Sequence, residues 1–381
     1  MRFTEDVESD PLISPHLARL VKGWSERDAD DGEGYRRHLA DYHRTLRRRM
    51  LFLAFCVAVI IATVGVAISY GALDISFADT YRTIWNHLTS RIEDKGMDYI
   101  VIEVRAPRIV AGLIAGAGLA ACGVVMQCVL RNPLADPYTT GVSSGASLGA
   151  TIAIYTGLSA ATKAPTVILA FLFSLVPTLA IVALSKSKSS NAPTTTIMFG
   201  IGLMYIFGAC TTVLMLWASN EGLAEIYQWQ VGSLAKVKWE DLPYMAGAVI
   251  PGVIALQATA TRLNVMATGD ESAKALGVNA ARTRVALLAL AGLISAAIVS
   301  FTGVLGFVGL VTPHIARIFI GADNRYLLPA SMLFGAMLMI VADLIGRAAI
   351  VGSTIPAGVV MAFIGGPTFI WLLMRRGSKA W

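Results

Sequence analysis

The chain has 381 residues, 55% of them hydrophobic and only 15% charged, with a mean hydropathy of +0.64. A soluble domain carries about a quarter charged residues, so this composition excludes an ordinary soluble fold and points to a polytopic membrane protein. The net charge of +6 does not mark a nucleic-acid binder, because beyond the first 50 residues the basic side chains sit between apolar runs, where membrane topology places them.

Residues 1–50 hold ten Lys/Arg and ten Asp/Glu. Residues 1–49 therefore read as a polar cytoplasmic tail, with a loop at Asp28–Gly34 and a helix from Tyr35 to Arg49. Arg44 and Arg47-Arg48-Arg49 directly precede the first apolar run, Met50 to Tyr70, and hold that side in the cytoplasm. Residues 71–104 form an external segment in which Asp74, Tyr81 and Trp85 suggest an interfacial helix. The second span is Ile109 to Val129, and a polar break with two prolines, Arg131 to Pro137, returns the chain on the cytoplasmic side. The third span, Thr140 to Thr156, carries Gly141, Gly145 and Gly149, a four-residue spacing that lets helix backbones approach closely in lipid. Spans four and five are Pro165 to Leu184 and Thr194 to Trp217, with Lys186 and Lys188 between them.

After an external stretch, 218–240, the sixth span runs from Leu242 to Ala260. An internal polar insertion about 264–284 then contains a short helix from Asp270, a plausible N-cap, to Leu276, stopped by Gly277. The last spans are Val285 to Thr302, Leu305 to Ile320 interrupted by Pro313, Leu328 to Ile345, and Ile355 to Met374. The membrane domain is 50–376 and residues 377–381 form a short cytoplasmic end. The expected fold class is an all-α polytopic membrane protein with ten transmembrane helices and both termini cytoplasmic. Arg105, Arg108 and Arg347 fall on the external side, against the charge rule, and are therefore functional candidates.

Gly116-Ala117-Gly118-Leu119-Ala120-Ala121 fits a loose dinucleotide pattern but follows no strand and lies in mid-membrane, so that reading is rejected. Gly141-Val142-Ser143-Ser144-Gly145 fits a nucleophile elbow, but His314 and Asp343 lie on other expected helices, which argues against a hydrolase. No Gly-Lys dipeptide exists, so the chain lacks a phosphate loop, and any ATP that drives it must be hydrolysed by another subunit. Asp343 and Arg347, four residues apart, share a helix face and form a local ion pair in the simplest reading. The expected membrane midplane is nearly neutral, with Gln127 and hydroxyls, which argues against an ion-coupled transporter. The cysteines, Cys56, Cys122, Cys128 and Cys210, all lie in apolar runs and read as buried small side chains.

Several blocks, in order, resemble one family. They are Arg105-Ala106-Pro107-Arg108 with Gln127 and Asn132-Pro133-Leu134-Ala135-Asp136-Pro137; Gly141 to Ala146; Gly269-Asp270-Glu271 through Ala275-Leu276-Gly277; Gly306 to Arg317; and the ending Gly365 to Leu373. The chain is similar to the FecCD permeases, membrane subunits of type II ABC importers for iron chelates, haem and vitamin B12. The resemblance implies a homodimer, or a paralogous heterodimer, of permeases. It further implies two cytoplasmic ATPase subunits that carry ATP and Mg, an external substrate-binding protein that delivers the cargo, no cofactor bound by this chain, and the cytoplasmic membrane of a prokaryote as the setting. It implies docking of acidic groups of the binding protein on Arg105, Arg108 and Arg347, pictured as an exposed basic ring. It implies a cytoplasmic gate at Asn132 and Leu134, with Thr194 and Thr195 near a second layer. It implies a coupling helix at Gly269, Asp270, Glu271, Ala275, Leu276 and Gly277, and a path lined by the fifth span with Gly200, Gly202 and Gly208. The first cargo to expect is an iron–siderophore, with haem, cobalamin and a molybdate-type oxyanion as alternatives.

Overall fold

The computed structural model describes residues 43–71, 75–185, 192–350 and 353–375. Most of the polar tail and the segment 377–381 lie outside these residues. The chain divides at Phe52 into two units; of the first, residues 43–52, the opening turns of the first helix, are described. Among the described residues the architecture is helical, without strands apart from one isolated bridge between Ile350 and Ser353.

The helices, in order, are α1 (His43–Ser69), α2 (Phe77–Leu88), α3 (Lys95–Val129), α4 (Val142–Tyr155), α5 (Ala164–Ser185), α6 (Ala192–Leu216) and α7 (Asn220–Gln230). They continue as α8 (Leu242–Ala258), α9 (Ala260–Ala267), α10 (Asp270–Ala275), α11 (Ala280–Thr302), α12 (Val308–Ile320), α13 (Asn324–Ala348) and α14 (Ala357–Arg375). Six of them, α1, α3, α5, α6, α11 and α13, are long and apolar enough to cross a membrane, and α8 with α9 forms a seventh candidate bent by 57°. The apolar stretches of α4, α12 and α14 are shorter than a usual span. The molecule is thus a multi-pass membrane protein, and every run expected to span the bilayer is helical.

The centre is α3, whose most apolar stretch is 78% buried, against 11% in α6. It packs on α13, α11, α12 and α8. Glycine makes this possible: a Cβ on Gly116 would strike the backbone of Gly335 in α13, and one on Gly123 would strike Gly309 in α12. The loose dinucleotide pattern is therefore a helix-crossing seam. The expected four-residue glycine face is present too, with Gly145 and Gly149 of α4 lying against the backbone of α5 at Phe173 and Leu169. Gly141 serves differently, in the left-handed conformation (φ 86°) that starts α4.

Two elements differ from expectation. The helix that contains the second expected span begins at Lys95, well before Ile109, since α3 is continuous through the Arg105–Arg108 block. Pro107 cannot donate to the carbonyl four residues back, and the turn before it widens to a π-helix over Tyr99–Arg105, in which the Ala106 amide bonds to Val101. Nor does Pro313 interrupt its helix. The carbonyl that it leaves unpaired, on Gly309, accepts from the Gln127 side chain of α3 at 3.4 Å, so α12 passes through intact. The break falls earlier, between Gly303 and Phe307, where φ is positive at both residues. Within 71–104, where an interfacial helix is expected, the chain forms the helix α2, capped by Ser76.

Candidate functional site

Charged side chains gather at the two ends of the helical core. At one end, Asp343 of α13 is held by Arg108 of α3: Nε donates to Oδ1 at 2.8 Å and Oδ2 at 3.0 Å, and Nη2 lies 2.8 Å from Oδ1. Arg347 Nε stands 3.2 Å from the same carboxylate, one helical turn away. Arg347 Nη1 also donates to the carbonyls of Ala67 (2.7 Å) and Tyr70 (3.0 Å). Arg105 Nη1 donates to Ile68 and Ser69. Two guanidiniums thus cover the last carbonyls of α1, where the helix dipole is negative. Gly71 leaves room for Arg105, whose guanidinium would lie 2.7 Å from a Cβ there.

The picture of an exposed basic ring is corrected here. Arg105, Arg108 and Arg347 are 4%, 7% and 7% exposed, because Asp343 and the end of α1 draw their guanidiniums inward. The local Asp343–Arg347 pair exists, but Arg108, 235 residues away in sequence, makes the fork.

At the opposite end the chain leaves α3 through Arg131–Pro137. Asn132 Oδ1 accepts from the Leu134 amide at 2.8 Å, which tightens the turn and leaves Leu134 exposed. Asp136 is buried, bonded by the Thr139 amide at 2.7 Å, and burial pushes its carboxyl up to about 6. His314 Nε2 lies 3.0 Å from the Pro133 carbonyl. Ser143, His314 and Asp343 therefore sit in three different surroundings and form no triad.

Beside this loop stands α10. Its inner face is moored: Ala273 is fully buried in a small apolar cluster with Met266 and Ala280. Its outer residues Glu271, Lys274, Ala275 and Leu276 are exposed, Leu276 by 66%. Gly277 (φ 78°) ends the element as expected. Asp270 is not the N-cap. Gly269 (φ 110°) occupies that position, and the Asp270 carboxylate is engaged by Arg284 of α11 at 2.7 and 2.8 Å. Arg131 Nη2 lies 3.7 Å from the same carboxylate. The expectation for this segment passed over Arg284 as a partner, because its burial and its reach to Asp270, 14 residues back, show only in the folded chain.

On α6, Gly200 packs against Thr139 and Thr140, whereas Gly202 and Gly208 face open space. Thr195 is exposed; the Thr194 side chain lies outside the described residues. Between α4, α6 and α7 lies a cavity of about 280 Å³, with Ser143, Ser144, Ser147, Thr211, Thr212 and Gln230 among its lining residues and no charged group. Cys56 and Cys122 are buried as expected, but Cys128 is only half-buried and Cys210 is exposed on α6.

With this geometry in hand, the chain can be compared with known proteins. A model described as the FecCD transport family matches residues 56–375. The chain belongs to this family. It is 34% identical over 332 residues to the hemin transport system permease protein of Yersinia pestis, covering 86% of this chain and 97% of that protein. It is 38% identical over 288 residues to the cobalamin import system permease protein of Halobacterium salinarum, covering 74% and 75%. A solved structure described as an inward-facing, metal-chelate type ABC transporter aligns at TM-score 0.74 and 31% identity, over 85% of this chain and 98% of that one. The family likeness read from the motif blocks is thereby shown, and the architecture is that of an ABC transporter permease.

Proposed function

We propose that this FecCD member is the permease subunit of an ATP-driven, binding-protein-dependent importer for a metal chelate, with an iron–siderophore as first cargo and haem, cobalamin or an oxyanion as alternatives. The observation that carries the reading is α10: a six-residue helix anchored on its inner face and presenting Glu271 and Lys274 outward, with Leu276 exposed just past its end, beside the loop that holds Asn132 and Leu134. That is the form a docking element for a cytoplasmic motor should take. The named relatives are permeases for hemin and cobalamin, which supports a bulky chelate over a simple ion.

In this reading the helices make ten spans with both termini cytoplasmic, in the cytoplasmic membrane of a prokaryote. Two copies enclose the path and two ATPase subunits bind ATP and Mg below; this chain binds no cofactor. The least buried long helix, α6, faces the path, where Gly202, Gly208 and the uncharged hydroxyl-lined cavity offer a weakly adhesive surface, with Thr194, Thr195, Asn132 and Leu134 at its cytoplasmic end. Arg105, Arg108 and Arg347 act mainly by shaping the external surface on which the binding protein docks; an acidic partner must compete with Asp343 and the α1 carbonyls to reach them.

The test is uptake into vesicles by the permease reconstituted with its ATPase and binding protein. ATP-dependent entry of a ferric siderophore is expected. Entry of haem or cobalamin instead changes the cargo alone, whereas entry without nucleotide overturns the importer reading in favour of a secondary transporter.

A further inference from the structure

Resting on that reading, we infer that Arg131 is a positioning residue that ties the gate loop to the coupling helix α10 through Asp270. Three observations converge on it. The first is backbone conformation. Arg131 follows the last turn of α3 with φ 47°, in the left-handed region, and its amide closes on the Cys128 carbonyl at 3.2 Å. This position after a helix end favours glycine, which takes the conformation without penalty. An arginine there keeps its side chain at a cost in backbone energy, so the side chain has a task.

The second is where that side chain goes. It passes over Gly269, where a Cβ would lie 3.6 Å from Arg131 Nη1, and reaches the Asp270 carboxylate at 3.7 Å. Asp270 is the first residue of α10, and Arg131 is the first residue of the loop that ends in Asp136 and Pro137. The ion pair therefore joins the start of the gate loop to the start of α10.

The third is the contrast between the two arginines on Asp270. Arg284 is buried and grips both carboxylate oxygens, so it keeps α10 on α11. Arg131 and Asp270 have side chains 39% and 40% exposed, and their contact is longer. A pair in water-facing surroundings forms and breaks at little cost. The carboxylate is thus fixed on one side and releasable on the other. A displacement of α10 by a docked ATPase carries Asp270 with it, and the Arg131 contact passes that displacement to Asn132 and Leu134.

The experiment uses the full permease–ATPase complex with Cys210→Ser, to remove the exposed thiol, and Leu134→Cys as reporter. The rate of maleimide labelling at position 134 is followed by mass spectrometry, with and without a non-hydrolysable ATP analogue. With Arg131 present the nucleotide should change the rate by ~5-fold or more, the lower range of allosteric coupling. Arg131→Ala should reduce that change to less than ~2-fold while the ATPase subunit still co-purifies and hydrolyses ATP at an unaltered rate, and Arg131→Lys should restore part of it. A full nucleotide response in Arg131→Ala overturns the tie, as does a parent complex whose labelling ignores nucleotide. If no ATPase co-purifies with the parent chain, the importer reading falls with it.

Discussion

At one end of the helical core three arginines gather at Asp343 and the end of α1; at the other, two arginines share Asp270. The first cluster is dry and crowded: Arg108 and Arg347 bind one carboxylate, and Arg347 with Arg105 also holds the last three carbonyls of α1 and that of Tyr70 just after it. The second is half in water and divided between a tight partner and a loose one. The same chemistry serves two ends because burial sets its worth. Taking a charge out of water costs several kcal/mol, so buried partners cannot separate without a large penalty, whereas exposed partners exchange freely. On the proposed importer reading, one end is built to stay and the other to move.

The largest effect should come from removing the hub of the dry cluster. Asp343→Ala leaves Arg108 and Arg347 buried without their carboxylate, and losing one partner of a buried pair costs about 3–5 kcal/mol. Thermal unfolding of the purified permease in detergent should show a correspondingly large drop. A loss below about 1 kcal/mol would mean that the cluster behaves like a surface pair, and the contrast between the ends would collapse. Next in size is Asp270→Ala, which orphans the buried Arg284 while leaving Arg131 able to find water; about 1–3 kcal/mol is expected. If this variant costs as much as Asp343→Ala, the moving end is as rigid as the fixed one.

Asp136 sharpens the comparison because it is buried at the moving end without an arginine on its carboxylate among the bonds described. Its carboxyl is raised by burial from 3.8 to about 6, against the opposing bonds from Thr139. The native state therefore holds the proton longer than the unfolded chain does. The stabilisation is full below about pH 4 and is lost as pH rises through about 6, a change on the order of 2–3 kcal/mol. Asp136→Asn keeps an acceptor for the Thr139 amide and should abolish that decline in melting temperature between pH 4 and 7. A decline that persists in the variant would assign it to another group.

Much of this could be read from residue order, and the rest fails for identifiable reasons. Apolar runs located the helices, and Gly145 and Gly149 announced a close contact on α4, though not that its partner is α5, because glycine spacing is a local signal. The short helix and its Gly277 stop were likewise visible. The start of α3 was not, since Lys95, Asp98, Glu103 and Arg105 interrupt the hydropathy of a helix that is nonetheless continuous. The burial of Arg105 could not be foreseen either: its acceptors are backbone carbonyls of α1, and a carbonyl has no letter in the sequence. The Arg108–Asp343 fork joins residues 235 positions apart, and chain order favoured the nearer Arg347. Asp270 was misread as a cap for the same reason, since nothing local reveals Arg284.

The smallest expected change in stability is also the most discriminating. Arg131→Gly removes a half-exposed ion pair worth about 0.2–1 kcal/mol. It also relieves a left-handed conformation that costs a side-chain-bearing residue roughly 1–2 kcal/mol. The two terms oppose each other, so the variant should melt at or slightly above the parent temperature. Its transport per ATP hydrolysed should nevertheless fall, because the gate loop has lost its contact with α10. A residue kept only for structure would show the reverse pattern: a colder melt and transport reduced in proportion to folded protein. Measuring both quantities on one preparation separates the two cases, since unchanged coupling in a variant of unchanged stability would leave Arg131 with no task to explain its conformation.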